Sequence, residues 1–160
     1  MKKIFTGLVI ATVCIYIFVL YYMLFRSVGR EMVVMSESML VNFNYWNSIN
    51  LIPFKTIAEY ITASFDESTR EHALRNLFGN LFLFFPAGFY LPFFVKKMIK
   101  IKNYCIVTAL WIIVIEIAQL ATRSGSLDID DFILNFAGAL IGVIVFTRTP
   151  LRILLKLRAW

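Results

Sequence analysis

Glu116 and Gln119 stand on one helical face of an otherwise apolar stretch, with Arg123 a turn further on. Asn76 and Asn80 open a second apolar stretch at i,i+4 spacing, and Asp131 and Asn135 open a third in the same way. Residues spaced by three or four lie on one side of a helix, so each stretch presents its polar groups in a column. By helical rise, Asn80 lies about 6 Å and Glu116 about 9 Å inside its stretch from the same side. A carboxylate in the middle of a bilayer costs at least about 2.5–3.5 kcal/mol, so it needs a partner or a task. Neutral Glu116 can donate to an amide oxygen of Asn80 or Asn135, whereas ionised Glu116 can only accept. One reading is interhelical glue, in which Glu116 hydrogen-bonds to at least one of those amides. The other is a polar site that holds a ligand. Both remain open.

Asp128, Asp130 and Asp131 cluster just before the third of these columns. Acids there suit the positive end of a helix dipole and can cap free amides. They lack the loop spacing of a calcium site. With a lone His72, two separated cysteines and no serine elbow, neither zinc nor a nucleophile triad has support. We expect no metal and no cofactor, and no set of catalytic residues stands out.

These groups need helices to carry them, and the composition says in what solvent. Of 160 residues, 60% are hydrophobic and 16% are charged. A water-soluble domain is nearer about 25% charged, so this chain has too little polar surface for one. It reads as an all-α integral membrane protein, a bundle of four transmembrane helices in a single domain over residues 1–160. The spans fall at about 4–25, 77–95, 104–122 and 129–147, each near the length needed to cross a core of about 30 Å. The first is too long for a signal-peptide core of about 7–15 residues. The net charge of +6 comes from basic residues flanking the spans, which reads as membrane anchoring and not as a nucleic-acid surface. Residues 1–3, 96–103 and 148–160 hold ten basic side chains and no acid. The positive-inside rule then puts both termini in the cytoplasm of a bacterial inner membrane.

The loop 26–76 is long and greasy, so we expect it to rest on the bilayer or cover the bundle. Within it, Asn50, Pro53 and Phe54 belong to a turn, because Pro53 drives Ile52 from helical angles. An amphipathic helix follows, with Ile57, Tyr60, Ile61 and Phe65 on one face. It serves either as a plain lid or as a gate for a ligand. The tail after Pro150 alternates basic and aliphatic residues, as an interfacial helix or a stop-transfer tail does. Cys14 and Cys105 differ in depth by about 14 Å along their helices, beyond a disulfide's reach of about 7 Å. Gly138 and Gly142 form a small-xxx-small groove that should face span three or serve as a homodimer seam.

In these blocks the chain resembles the VanZ-like family of bacterial membrane proteins. The resemblance rests on Asn50-Leu51-Ile52-Pro53-Phe54 and on Asn76-Leu77-Phe78-Gly79-Asn80 running into Phe84-Phe85-Pro86-Ala87-Gly88. It continues through Glu116-Ile117-Ala118-Gln119 and Asp128-Ile129-Asp130-Asp131 onward to Gly138. It implies a small multi-span protein associated with resistance to the glycopeptide teicoplanin, and it supplies no mechanism. Two classes of function follow. In the first, the protein binds membrane lipids and an amphiphile in the outer leaflet, either a lipid-tailed glycopeptide or a lipid-linked cell-wall precursor. In the second it is an enzyme on a lipid-linked phosphate or sugar, with Glu116 as acid or base. The amide-rich polar set favours binding. A channel is weaker still, because the polar groups do not continue to the cytoplasmic side.

The topology has a direct test. Single cysteines placed at Ser64 and Ser126 should react with an impermeant maleimide in intact cells, and labelling only after permeabilisation would invert the map.

Overall fold

The computed structural model describes residues 2–34, 49–122, 124–150 and 153–154, without the side chains of 26–34. Arg123, residues 35–48 of the expected loop and most of the basic tail lie outside these described residues. Helix α1 runs Lys2–Val34, followed by strand β1 (Ile49–Asn50) and helices α2 (Lys55–Ala63), α3 (Arg70–Leu83) and α4 (Ala87–Phe94). A short 3-10 turn, Lys96–Ile99, leads to α5 (Ile101–Thr122), strand β2 (Leu127–Asp128) and α6 (Ile129–Arg148). Four helical stretches are long and apolar enough to cross a membrane: Lys2–Phe25, Arg70–Phe94, Ile101–Thr122 and Ile129–Arg148. They are the spans expected from sequence, with the second and third starting earlier. The segment assigned to loop also shrinks, because α1 continues to Val34 with only Gly29 to weaken it.

The second stretch is broken in the middle. Pro86 has no N–H, so the helical ladder fails there and slips to shorter bonds such as Ala87 N–H to Phe84 at 3.1 Å. That leaves the Leu83 carbonyl without the partner an unbroken helix would give it. In hydrocarbon it must find another. The Tyr16 hydroxyl on α1 donates to it at 3.0 Å. The same side of α1 sets Tyr16 tilted against Tyr90 and Phe5 edge-to-face with Phe93, with ring centroids 5.4 and 6.2 Å apart. Its other faces, among them Leu8, Ile15 and Phe18, are left exposed. Cys14 and Cys105 are both free thiols, as their depths required.

Helix α6 is the centre of the bundle, packed against α3, α4 and α5. One face is nearly bare. A methyl built on Gly138 would lie 1.7 Å from the Leu81 carbonyl oxygen, and one on Gly142 would lie 2.2 Å from that of Phe85. On the facing helix, a methyl on Gly88 would meet the Val143 nitrogen at 2.2 Å. The glycine groove therefore packs on the second span, and the expectation that it faces span three is wrong. It is also filled within the chain, so it is not open as a homodimer seam. The physical reason is that glycines on α6 let the main chain of Leu81 and Phe85 approach directly, and Gly88 opens the facing helix in the same way beside Gly142. The adjacent face of α6 meets α5 through side chains, Ala139 and Val143 clustering with Tyr104, Ile112 and Ile115.

The close approach predicts an asymmetry among the glycines. Gly138→Ala must push a methyl into a backbone carbonyl, and overpacking of this kind costs about 1–3 kcal/mol. Gly79→Ala meets nothing within 4 Å and should be neutral or slightly stabilising. Thermal unfolding of the purified protein in detergent checks both, and equal midpoints would remove the backbone contact.

Candidate functional site

The chain around Pro53 and the chain entering α6 are built as one unit. Strand β1 pairs with β2 in parallel, Ile49 beside Leu127 and Asn50 beside Asp128. Asp128 is the N-cap of α6 and accepts from the Asp130 amide at 2.8 Å. Its two oxygens also accept from the Asn50 side-chain amide at 3.1 Å and the Thr56 hydroxyl at 2.6 Å. Asn50 donates to Thr56 at 2.8 Å and takes the Ile52 amide at 3.2 Å, which closes the turn. Asp130 has no exposed surface at all, and it caps a different helix from its own. It accepts from the amides of Phe54 at 2.6 Å and Ile57 at 3.1 Å, the free donors at the start of α2. Phe54 pays for this with a left-handed backbone, φ 65°, unusual for a residue with a side chain. Asn50 thus acts through its side chain and Phe54 through its main chain, while the rings of Pro53 and Phe54 stay exposed.

Below this clamp lies the buried acid. Glu116 on α5 is 5% exposed, and its Oε2 has no hydrogen-bond partner. The carboxylates of Asp131 and Asp128 lie within its electrostatic reach. Asn80 does not bond to Glu116 as expected, because it donates to Asp131 across the α3–α6 contact. Asn135 is 1% exposed with its side-chain oxygen likewise unpartnered, and no hydrogen bond joins it to Glu116 among the described residues. Among the described residues Glu116 therefore bonds to neither the Asn80 nor the Asn135 side chain, where the sequence led us to expect at least one of them. The reason is the glycine contact, which holds the start of α6 beside α3, so that Asp131 reaches Asn80 first.

Glu116 and Asp128 line a cavity of about 180 Å³. Leu51, Ile113, Ile117, Ile129 and Phe132 supply its apolar walls. Leu51, Ile113 and Ile117 are all exposed on the chain's surface, so the cavity opens sideways beside α5. Above it, burial together with Asp131, Asp128 and Glu59 raises the Tyr60 phenol above its ordinary value. Among the described residues the one ion pair is Arg75 with Glu71, on the exposed start of α3.

Other candidates point elsewhere. Asn76 turns back to His72 on its own helix, at 3.0 Å from both the ring and the carbonyl. Gln119 donates to the Leu24 carbonyl at 3.2 Å and ties α5 to α1. Arg123 lies outside the described residues. Thr56, Leu51 and Tyr60 belong to the site and were missed as site residues. Only the placement of α2 over α6, a contact between distant segments, brings them there.

A bundle of four apolar helices, with buried carboxylates gathered at one end under an amphipathic helix, defines a helical membrane protein with a polar site. The chain belongs to the VanZ/LLP1 family, whose model matches residues 13–154. The resemblance seen in the sequence motifs is thereby shown. No curated protein and no solved structure matches the chain.

The clamp yields a stability prediction. Asp130→Ala leaves the Phe54 and Ile57 amides without acceptors, and each hydrogen bond to a charged group contributes about 1.5–3 kcal/mol. Hydrogen exchange should speed up over 54–63 while α5 stays protected. Unchanged exchange in that segment would show that Asp130 does not hold α2.

Proposed function

We propose that this is a glycopeptide-resistance or immunity factor of the bacterial cytoplasmic membrane, and that it binds an amphiphile from the outer leaflet. The ligand is a teicoplanin-type antibiotic's lipid tail region or a lipid-linked cell-wall precursor. One observation carries the reading: buried Glu116, with an oxygen lacking a partner, sits on a cavity whose rim is exposed aliphatic side chains. A head group can enter toward Glu116 while its tail stays in lipid against Ile113 and Ile117. Each buried CH₂ of such a tail contributes about 0.8 kcal/mol. The turn before α2, clamped over the start of α6, contributes Leu51 to the rim of the cavity.

The enzymatic alternative has less to work with. Asp128 and Asp130 direct their oxygens to Asn50, Thr56 and the α2 amides, so they are poorly free to gather a metal. Glu116 has no nucleophile bonded to it among the described residues.

Expression in a sensitive Gram-positive host should raise the inhibitory concentration of teicoplanin more than that of vancomycin, which lacks the lipid tail. Glu116→Ala should abolish the difference at equal protein level. Equal protection against both drugs would remove the tail-dependent mechanism, and no protection from folded protein would remove the resistance role.

A further inference from the structure

Where α1 and α5 begin and α6 ends, at the far end of the spans from Glu116, lies a second cavity of about 290 Å³. Phe5 and Val9 on α1, Phe89 and Phe93 on α4, Phe146 on α6 and Leu154 supply its walls. The rings brace one another: Phe5 meets Phe93 edge-to-face at 6.2 Å, and Phe89 meets Phe146 in the same way at 5.8 Å. Thr12 also borders the cavity, but its hydroxyl is spent on the Val9 carbonyl at 2.8 Å. Walls of this kind give water too few partners, and an apolar cavity of only about 150 Å³ already stays dry and takes benzene. The seam between α1 and α4 suits a hydrocarbon chain.

The head group on that chain follows from charge. Lys2 stands three residues before Phe5 and seven before Val9, so it tops the helical face that lines the cavity. By helical rise Val9 lies about 10 Å deeper than Lys2. Lys96 and Lys97 follow Phe93 by three and four residues, and the Phe5–Phe93 contact brings both lysine segments to one rim. All four lysines of this rim, Lys3 included, are exposed, and no carboxylate pairs with them among the described residues. The sequence has no acid over residues 1–30, 72–115 or 132–160, so these segments cannot neutralise them from within. An anionic phosphate head at the membrane surface supplies the missing charge, whereas a choline head brings its own cation and gains less.

We propose that this seam binds one anionic phospholipid, with an acyl chain in the cavity and the phosphate head outside it on Lys2, Lys3, Lys96 and Lys97. The lipid comes from the leaflet that the positive-inside rule assigns to the cytoplasm. Its chain joins α1, exposed over most of its faces, to the broken second span, and so completes the packing of the bundle. The site does not depend on the amphiphile reading at Glu116, which concerns the other end of the spans.

The test delipidates the full chain in detergent and follows lipid binding by native mass spectrometry, with dioleoylphosphatidylglycerol and dioleoylphosphatidylcholine as probes. One phosphatidylglycerol should bind saturably, at least about fivefold more tightly than phosphatidylcholine, the scale of a single lysine at a membrane surface. Lys2→Gln combined with Lys96→Gln changes only exposed side chains and should erase that preference. Lys102→Gln, at the same end but on α5, which gives the cavity no wall, should leave it intact. Val9→Trp should fill the cavity and weaken both lipids at least about tenfold, whereas Leu8→Trp on an exposed face of α1 should not. A phosphatidylglycerol with a diazirine on its acyl chain should crosslink within residues 5–12 or 85–93 of the unaltered protein, which needs no variant to fold. Equal affinity for the two lipids would overturn the anionic head. Unchanged binding in Val9→Trp, or crosslinks confined to α5, would overturn the cavity as the chain's site. No saturable binding of either lipid would overturn both.

Discussion

Asp128 and Asp130 sit buried where the chain enters its last span, and each must meet donors or leave a charge stranded in low dielectric. They meet them in the segment around Pro53: the Asn50 amide, the Thr56 hydroxyl and the main-chain N–H groups of Phe54 and Ile57. The demand runs in both directions, because the first turn of α2 has amides that its own helix cannot satisfy. Two shortages cancel in one contact. The rest of this end follows from it: α2 is held over α6, Leu51 is set on the rim of the cavity, and Tyr60 comes to lie near Asp131. The left-handed backbone at Phe54 is tolerated because Asp130 fixes its amide.

A second constraint acts deeper in the bundle. No water is available there to rescue a broken backbone, so the kink at Pro86 needs a donor from another helix, and Tyr16 provides it. The same region needs close helix contact, since apolar side chains gain little by leaving lipid for one another. Gly88, Gly138 and Gly142 supply it by letting backbones touch. Helix α6 is central because it carries both devices: acids at its start that hold α2, and glycines below that hold α3 and α4.

Among the described residues, Thr6, Tyr104, Thr108, Asn135 and Glu116 each keep a buried polar atom without a hydrogen-bond partner, and Glu116 is the one carboxyl group among them. Buried polar groups are nearly always partnered, and one that is not calls for an explanation. Asp128 and Asp130 have donors arranged for them by the fold, whereas Glu116, bonded by the Asp128 main chain, keeps one oxygen without a donor on a residue that lines the cavity. A group costly to bury and left with spare capacity is where a membrane protein meets something other than itself.

Hydrophobic length and charge placement determined the four spans, because crossing hydrocarbon demands long uncharged helices whatever their neighbours are. The helical turn determined that Asn76 and Asn80, Glu116 and Gln119, and Asp131 and Asn135 share faces, and the acids before α6 already read as caps. The sequence blocks also carried the family resemblance. What they did not contain was which face meets which. Gly138 and Gly142 announce a close contact but not its partner, and only the fold, which sets the Leu81 and Phe85 carbonyls and Gly88 against them, selects the second span over the third. Asp130 announces a cap but not that it serves α2, and Asn80 could have reached Glu116 had α6 not brought Asp131 nearer. Periodicity is local and fixes the face of each helix. The pairing of faces is a competition among distant surfaces, and the tertiary structure decided it.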